Sequence, residues 1–183
     1  MARIEIFTDS IIVDSFFNKK IDNKIIKILD DEEKKENGRQ LSNRGGFQTK
    51  NILDKEIAET FLNHSAKLIS QDYDLKNIIF CLDNLWINKN YQGSFNMPHT
   101  HPDCSFSGVY YIEVSEEGGE LIFIRNDKSH GYNIQSIISN HSSFHDNYAI
   151  KPLKNQIVLF PSNLTHMVMP HYEEKPRISV SFN

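Results

Sequence analysis

Apolar residues fall at helical spacing in the first third of the chain and at alternating spacing afterwards. From Lys19 to Glu36 the apolar positions are Ile21, Ile25, Ile26, Ile28 and Leu29, a helical stripe that Asn37-Gly38 brings to a stop. The stretch from Leu53 to Ser70 repeats the pattern with Ile57, Ala58, Phe61, Leu62, Ala66, Leu68 and Ile69, and predicts a second helix. Before the first helix, residues 3–7 and 11–17 are apolar and β-branched, which predicts a short opening strand and a turn. Between the helices, SNRGGFQT at 42–49 reads as a loop rich in glycine and turn residues.

After Tyr73 the character changes. Ile78–Asn88 alternates and is rich in Ile, Phe and Trp, Ser107–Val114 reads as a strand, and Gly118-Gly119 turns the chain into Glu120–Arg125. Asn155–Pro161 and Arg177–Phe182 are two more short apolar runs bounded by proline and polar residues. Helices first and many short strands later predict an α+β class, an antiparallel β core with helices packed outside it. No repeat or low-complexity linker divides the chain, so one domain over 1–183 is expected, with a helical buttress at about 1–75 and the β core at about 76–183. The polar segment 126–150, with His130, His141 and His145, reads as an insert or lid.

Composition narrows the function classes. A net charge of −4 argues against an electrostatic grip on nucleic acid. The run DDEEKKE at 30–36 mixes both signs and reads as a solvated helix face. No apolar stretch is long enough to span a bilayer, and MARIEIFTDS does not read as a secretory signal. Cys81 and Cys104 are the only cysteines, too few for a disulfide framework, and point to free thiols in a reducing, cytoplasmic setting.

The chemistry gathers at PHTHPDCSFSGVYY, residues 98–111, where two histidines, an aspartate and a cysteine precede a strand. Side chains at i and i+2 of an extended segment share a face, so His99 can converge with His101, or His101 with Asp103. Imidazole suits iron, zinc, copper or nickel, and two histidines with a carboxylate and open positions suit Fe(II). A third ligand is expected from another strand. His166 in FPSNLTHMVMP, 65 positions after His101 and following the apolar run IVLFP, is the candidate. Arg177 lies 11 positions further on, at the start of the last strand, with Ser179 on the same face. A guanidinium is a two-pronged donor for a carboxylate, and a serine hydroxyl adds another donor. One of Tyr110 and Tyr111 must point inward, where a phenol could donate to a ligand oxygen. Three protein donors, open metal positions and a cationic anchor form the layout of 2-oxoglutarate-dependent oxygenases.

The stretch GSFNMPHTHPDCSFSGVYYIEVSEEGGELIF resembles the prolyl-hydroxylase-like branch of the Fe(II)/2-oxoglutarate oxygenases. HTHP…SGVYY, LFPSNLTH and PRISVSFN together are similar to an uncharacterised family of 2-oxoglutarate–Fe(II) oxygenases, and SNRGGFQT is similar to that family's Asn-Gly-Gly loop. The resemblance covers roughly residues 42–183. It implies a double-stranded β-helix, a jelly-roll or cupin-like barrel with helices buttressing one sheet, and Fe(II) at its open mouth with 2-oxoglutarate as cosubstrate. By position the iron-binding histidines fall on His99 and His166, and the cosubstrate arginine falls on Arg177, helped by Ser179 and by Tyr110 or Tyr111. The usual carboxylate of the motif falls on His101. The ungapped alignment makes His99, His101 and His166 the metal set, with Asp103 as the alternative carboxylate ligand. The implied activity is hydroxylation of a small-molecule or peptidyl substrate with release of succinate and CO2. Trp86 and Asn88 are on a strand that could border the pocket. Two rival classes are a cupin-like metal-binding barrel without 2-oxoglutarate and a structural zinc protein using His99, His101, Cys104 and His166. The latter would lack the close-spaced cysteine pairs such sites use.

Overall fold

The computed structural model describes residues 9–73, 77–125 and 146–183. Two amphipathic helices carry the N-terminal apolar stripes. Helix α1, Lys19–Lys34, starts at Asn18, whose side chain accepts from the Ile21 amide at 3.3 Å, and it buries Ile21, Ile25 and Leu29. Helix α2, Lys55–Asp72, is capped by Asp54, which accepts from the Ile57 amide at 3.1 Å. Lys24 on α1 reaches both Asp54 and Glu56, at 2.7 and 2.9 Å, and ties the two N-terminal turns together. Among the described residues, no helix is long and apolar enough to cross a membrane.

Among the described residues eleven strands form two antiparallel sheets. They are β1 (Ile12–Ser15), β2 (Asn43–Arg44), β3 (Phe47–Gln48), β4 (Leu85–Asn90), β5 (Phe95–His99) and β6 (Phe106–Glu113), then β7 (Leu121–Ile124), β8 (Asn147–Ile150), β9 (Gln156–Pro161), β10 (His166–Val168) and β11 (Arg177–Phe182). The six-stranded sheet runs β1-β9-β6-β11-β4-β3 and the five-stranded sheet runs β2-β5-β10-β7-β8. The interleaved order, in which chain neighbours are seldom sheet neighbours, is that of a double-stranded β-helix.

Alternation along the six-stranded sheet divides its faces. Leu85, Ile87, Tyr110, Ile157, Leu159, Val180 and Phe182 form one apolar cluster with Ile21, Ile25, Leu29, Ile57 and Phe61 of the helices. The opposite face, between the sheets, carries Tyr111, Val158 and Phe160, which pack with Leu121, Phe123, Ile150 and Leu164. Gly108 falls on the helix side, and a Cβ there would collide with the rings and methyls of Phe182 and Leu159. Its missing side chain lets those two residues fill the space.

Several expectations need correction. The loop expected at 42–49 contributes two short strands, β2 and β3, one to each sheet. The strand expected over 78–88 forms only from Leu85, because Ile78 and Ile79 precede the point where the chain gains a sheet neighbour and remain exposed. The opening strand expected at 3–7 lies outside the described residues, as do His130, His141 and His145 of the expected lid. Residues 147–150 of that segment form β8, an edge strand paired with β7.

Candidate functional site

Strands β5 and β10 pair in antiparallel register with His166 directly opposite His99. The chain leaves β5 at His99, and His101 sits two residues on, its backbone amide donating to the Ser162 carbonyl at 2.9 Å. That bond ties the His101 turn to the β9–β10 connection, so sheet pairing and turn together bring three imidazoles to one point. Ring centroids are 5.1 Å apart for His99–His101, 4.3 Å for His99–His166 and 5.1 Å for His101–His166. One ligand atom from each lies within 4.8 Å of the others, and this is the one grouping of three such ligand types among the described residues.

The protonation of these rings is set by their neighbours. His99 Nδ1 lies 2.7 Å from the Met97 carbonyl and His166 Nδ1 lies 2.9 Å from the Leu164 carbonyl. A carbonyl only accepts, so each Nδ1 carries the proton and each Nε2 keeps its lone pair. Burial pushes His166 down to about 3 and His101 down to about 4, with neighbouring imidazole charge adding to both, and burial also lowers His99. All three are neutral at neutral pH, the form that binds a metal. Asp103 is exposed on the turn after His101, with a φ of 65°, and stands outside the cluster. Cys104 is also outside it, and burial raises its thiol rather than favouring a thiolate.

The imidazoles border a cavity of about 360 Å³ that runs between the sheets. Arg177, Ser179 and Ser181 alternate into it from β11, opposite Asn90, Asn88 and Trp86 of β4. Arg177 is 2% exposed; Nη1 donates to the Gly119 carbonyl at 2.7 Å, Nη2 donates to Asn90 Oδ1 at 3.1 Å, and Nε is buried with no partner. Gly119, at a φ of 75°, has no Cβ, and one would stand 3.3 Å from Arg177 Nη1. Glu120 acts on Arg177 electrostatically without a direct ion pair among the described residues, so a buried cation faces the cavity with one donor unused. Ser179 is buried beside it.

Tyr111 lines the same cavity, and burial pushes its phenol up to about 12, which keeps it a donor at neutral pH. Tyr110, the other residue the sequence offers for that role, is not there. It points to the other face of β6, where its hydroxyl donates to Asp22 of α1 at 3.0 Å and its ring packs on Phe16 and Phe61. Trp86 is buried, lines the cavity and lies 5.7 Å from His101 by ring centroid. Gly119 reads in the sequence only as half of the Gly118-Gly119 turn, and neither Asn90, which holds Arg177 with it, nor Arg39, which lies over Trp86, carries a direct sequence signal of its role. The alternation Trp86, Asn88, Asn90 along one strand is an indirect signal for Asn90. Nothing local signalled Arg39, which is brought in from the loop after α1.

Three neutral nitrogen donors with open positions fit a first-row divalent ion. A buried guanidinium, a serine and a protonated tyrosine in the same cavity fit a carboxylate.

The comparisons agree with that chemistry. A family model described as "Putative 2OG-Fe(II) oxygenase" matches residues 84–183. No curated protein is detectably similar in sequence. Among solved structures, a Pseudomonas putida prolyl-4-hydroxylase is similar at 15% identity and a TM-score of 0.64, over 96% of this chain and 92% of that one. A viral collagen prolyl hydroxylase from Paramecium bursaria Chlorella virus-1, in complex with 2OG, is similar at 14% identity and a TM-score of 0.61, over 95% and 93%. HygX from Streptomyces hygroscopicus, with nickel and 2-oxoglutarate bound, is similar at 12% identity and a TM-score of 0.60, over 96% and 82%.

Proposed function

The chain belongs to the 2OG-Fe(II) oxygenase family, whose cofactors are Fe(II) and 2-oxoglutarate, and from that premise we propose that His99, His101 and His166 hold the ferrous ion. On this reading Arg177 anchors the cosubstrate, with Ser179 and Tyr111 as further donors. The observation that carries it is the convergence of three neutral imidazoles on a cavity that also holds an unpaired, buried guanidinium.

When bound, iron and cosubstrate supply the oxidation of a substrate C–H bond, with release of succinate and CO2. The protein's part is binding, orientation and exclusion of water. The Met97 and Leu164 carbonyls hold two imidazoles in the tautomer that leaves the Nε2 lone pair as an acceptor, which on His99 faces Ser42 Oγ at 3.4 Å. Arg177 is itself held by Gly119 and Asn90, so its unused donor is fixed before the dicarboxylate arrives. Leu121, Phe160 and Val168 close the apolar side of the cavity against water. With no carboxylate among the three ligands, the full charge of the metal acts on the cosubstrate. The substrate is a small molecule or a peptidyl side chain rather than nucleic acid, a reading supported by the net charge of −4. Two free cysteines support a reducing, cytoplasmic setting.

Anaerobic reconstitution with Fe(II) and 2-oxoglutarate tests the proposal. A metal-to-ligand charge-transfer band in the visible is expected, followed by succinate release when oxygen is admitted. Absence of both the band and saturable 2-oxoglutarate binding, in protein that holds iron, refutes it.

A further inference from the structure

A second guanidinium, that of Arg39, lines the cavity beside Trp86. Arg39 lies in the loop after α1, its amide donating to the Gln48 carbonyl at 2.8 Å and its carbonyl accepting from Asn43 Nδ2 at 3.4 Å. The loop is thereby pinned to β3. The Arg39 guanidinium carbon sits 5.6 Å from the centroid of the Trp86 ring. Arg39 Nε is buried with no partner, and among the described residues no acidic side chain forms an ion pair with this arginine. Arg39 is half-buried, and the indole beneath it only partly offsets the water its buried Nε has lost.

Position separates this cation from Arg177. Arg177 is opposite Asn90 on β4, while Trp86 lies four residues back along the same strand. Four residues of strand cover roughly 13 Å. The four C–C bonds of a five-carbon dicarboxylate, about 1.5 Å each, reach at most about 6 Å. The strand positions that seat the two cations are thus further apart than the cosubstrate is long, and Trp86, under Arg39, is beside the proposed ligand His101 rather than beside Arg177.

Charge points the same way. Among the described residues no Asp or Glu lines the cavity. A ferrous ion on three neutral imidazoles and the two guanidiniums would carry four formal positive charges, of which 2-oxoglutarate offsets two and Glu120, acting on Arg177 from outside the lining, one more, so the site stays net positive. The remainder favours an anionic substrate.

We infer that Arg39 and Trp86 form the substrate-recognition end of the cavity and receive a carboxylate carried by the substrate, with Trp86 supporting the flat or apolar group next to it. This deepens the oxygenase reading and rests on it. The carboxylate can belong to a free amino acid or small organic acid, or to an Asp or Glu side chain of a peptide. The guanidinium chemistry is the same for both, and the test separates them.

Trp86 is the only tryptophan in the chain, so its fluorescence reports this end of the cavity directly. The full-length protein, loaded with redox-inert Mn(II) and saturating 2-oxoglutarate, is titrated with the free L-amino acids, with benzoate and with acidic hexapeptides, each against its carboxamide counterpart. At least one carboxylate is expected to change Trp86 emission saturably and to bind at least about tenfold more tightly than its amide, the range of a charge-assisted hydrogen bond. Response to the free acids identifies a small-molecule substrate, and response to the hexapeptides alone identifies a peptidyl one. In Arg39→Gln the carboxylate preference should fall below about twofold, with Arg39→Lys between the two. Circular dichroism and unchanged 2-oxoglutarate affinity establish that the variants fold and keep the cosubstrate site. If no carboxylate outbinds its amide, or the preference survives Arg39→Gln, the inference fails. If 2-oxoglutarate does not bind the wild-type protein at all, the failure lies with the oxygenase reading of the site.

Discussion

Arg177→Ala isolates the proposed cosubstrate anchor. Arg177 is 2% exposed, its two hydrogen-bond partners, Gly119 O and Asn90 Oδ1, are uncharged, and its Nε has no partner. Its charge is thus uncompensated by hydrogen-bonded neighbours until a dicarboxylate arrives. Removing one partner of a buried ion pair costs about 3–5 kcal/mol. At 1.4 kcal/mol per tenfold, the dissociation constant of 2-oxoglutarate should rise by roughly two to three and a half orders of magnitude. The metal-free fold should suffer less. The substitution leaves two acceptors without donors but also removes a charge that burial had already made costly. Arg177→Lys keeps the charge and loses the fork, so its affinity should fall between wild type and Arg177→Ala. The assay is an anaerobic titration of the iron-loaded protein with 2-oxoglutarate, followed by visible charge-transfer absorption and checked by calorimetry. A loss of less than about threefold in well-folded Arg177→Ala would remove Arg177 from the site.

Other substitutions divide the remaining claims. His166→Ala should abolish stoichiometric metal binding by calorimetry, and retained stoichiometric iron refutes its role as a ligand. Asp103→Asn should keep full metal stoichiometry where His101→Ala loses it, and the reverse result would install the carboxylate set instead. The folded state holds His166 near 3 and His101 near 4, below the 6.5 of a free imidazole, so the unfolded chain takes up these protons first as pH falls. Stability of the metal-free protein from this source is present above 6.5 and is lost as pH drops toward the folded values. The urea midpoint should therefore be lower at about pH 5 than at about pH 7.5, and the gap should narrow when both histidines are replaced by Gln. Tyr110→Phe should cost about 1–3 kcal/mol of stability, because it strands the half-buried Asp22 carboxylate, while 2-oxoglutarate affinity stays unchanged. A changed affinity with unchanged stability would put Tyr110 back in the cavity.

The strands that alternate cleanly were the ones the sequence disclosed. Arg177 and Ser179 could be placed on one face because Ile178, Val180 and Phe182 so plainly claim the other. His99 and His101 could be paired by the same parity. For Tyr110 and Tyr111 parity was not enough, since both are large and aromatic and either could have served the apolar side. What decides between them is Asp22, 88 residues away on α1, which accepts the Tyr110 hydroxyl. Strand β5 escaped because FNMPH has neither alternation nor β-branched residues, and it forms through its partners β2 and β10 rather than through propensity. Arg39 escaped because its neighbour Trp86 lies 47 positions downstream, and no local pattern encodes a contact at that separation.

The two faces of the six-stranded sheet carry different duties, and the substitutions above should sort accordingly. Towards the helices, Leu85, Ile87, Tyr110, Ile157, Val180 and Phe182 are buried in an apolar cluster, where lost area translates into lost stability. Towards the cavity, the same strands present Trp86, Asn88, Tyr111, Arg177 and Ser179. Buried polar groups such as these add little to the fold unless their partners are supplied, and here part of the supply comes from outside the chain. One residue's step along β11 or β6 therefore separates a change read as a melting temperature from a change read as a ligand affinity. The pair Tyr110 and Tyr111 is the sharpest case. They are adjacent in sequence and alike in chemistry, and they stand on opposite sides of that division because one strand residue rotates the side chain to the other face.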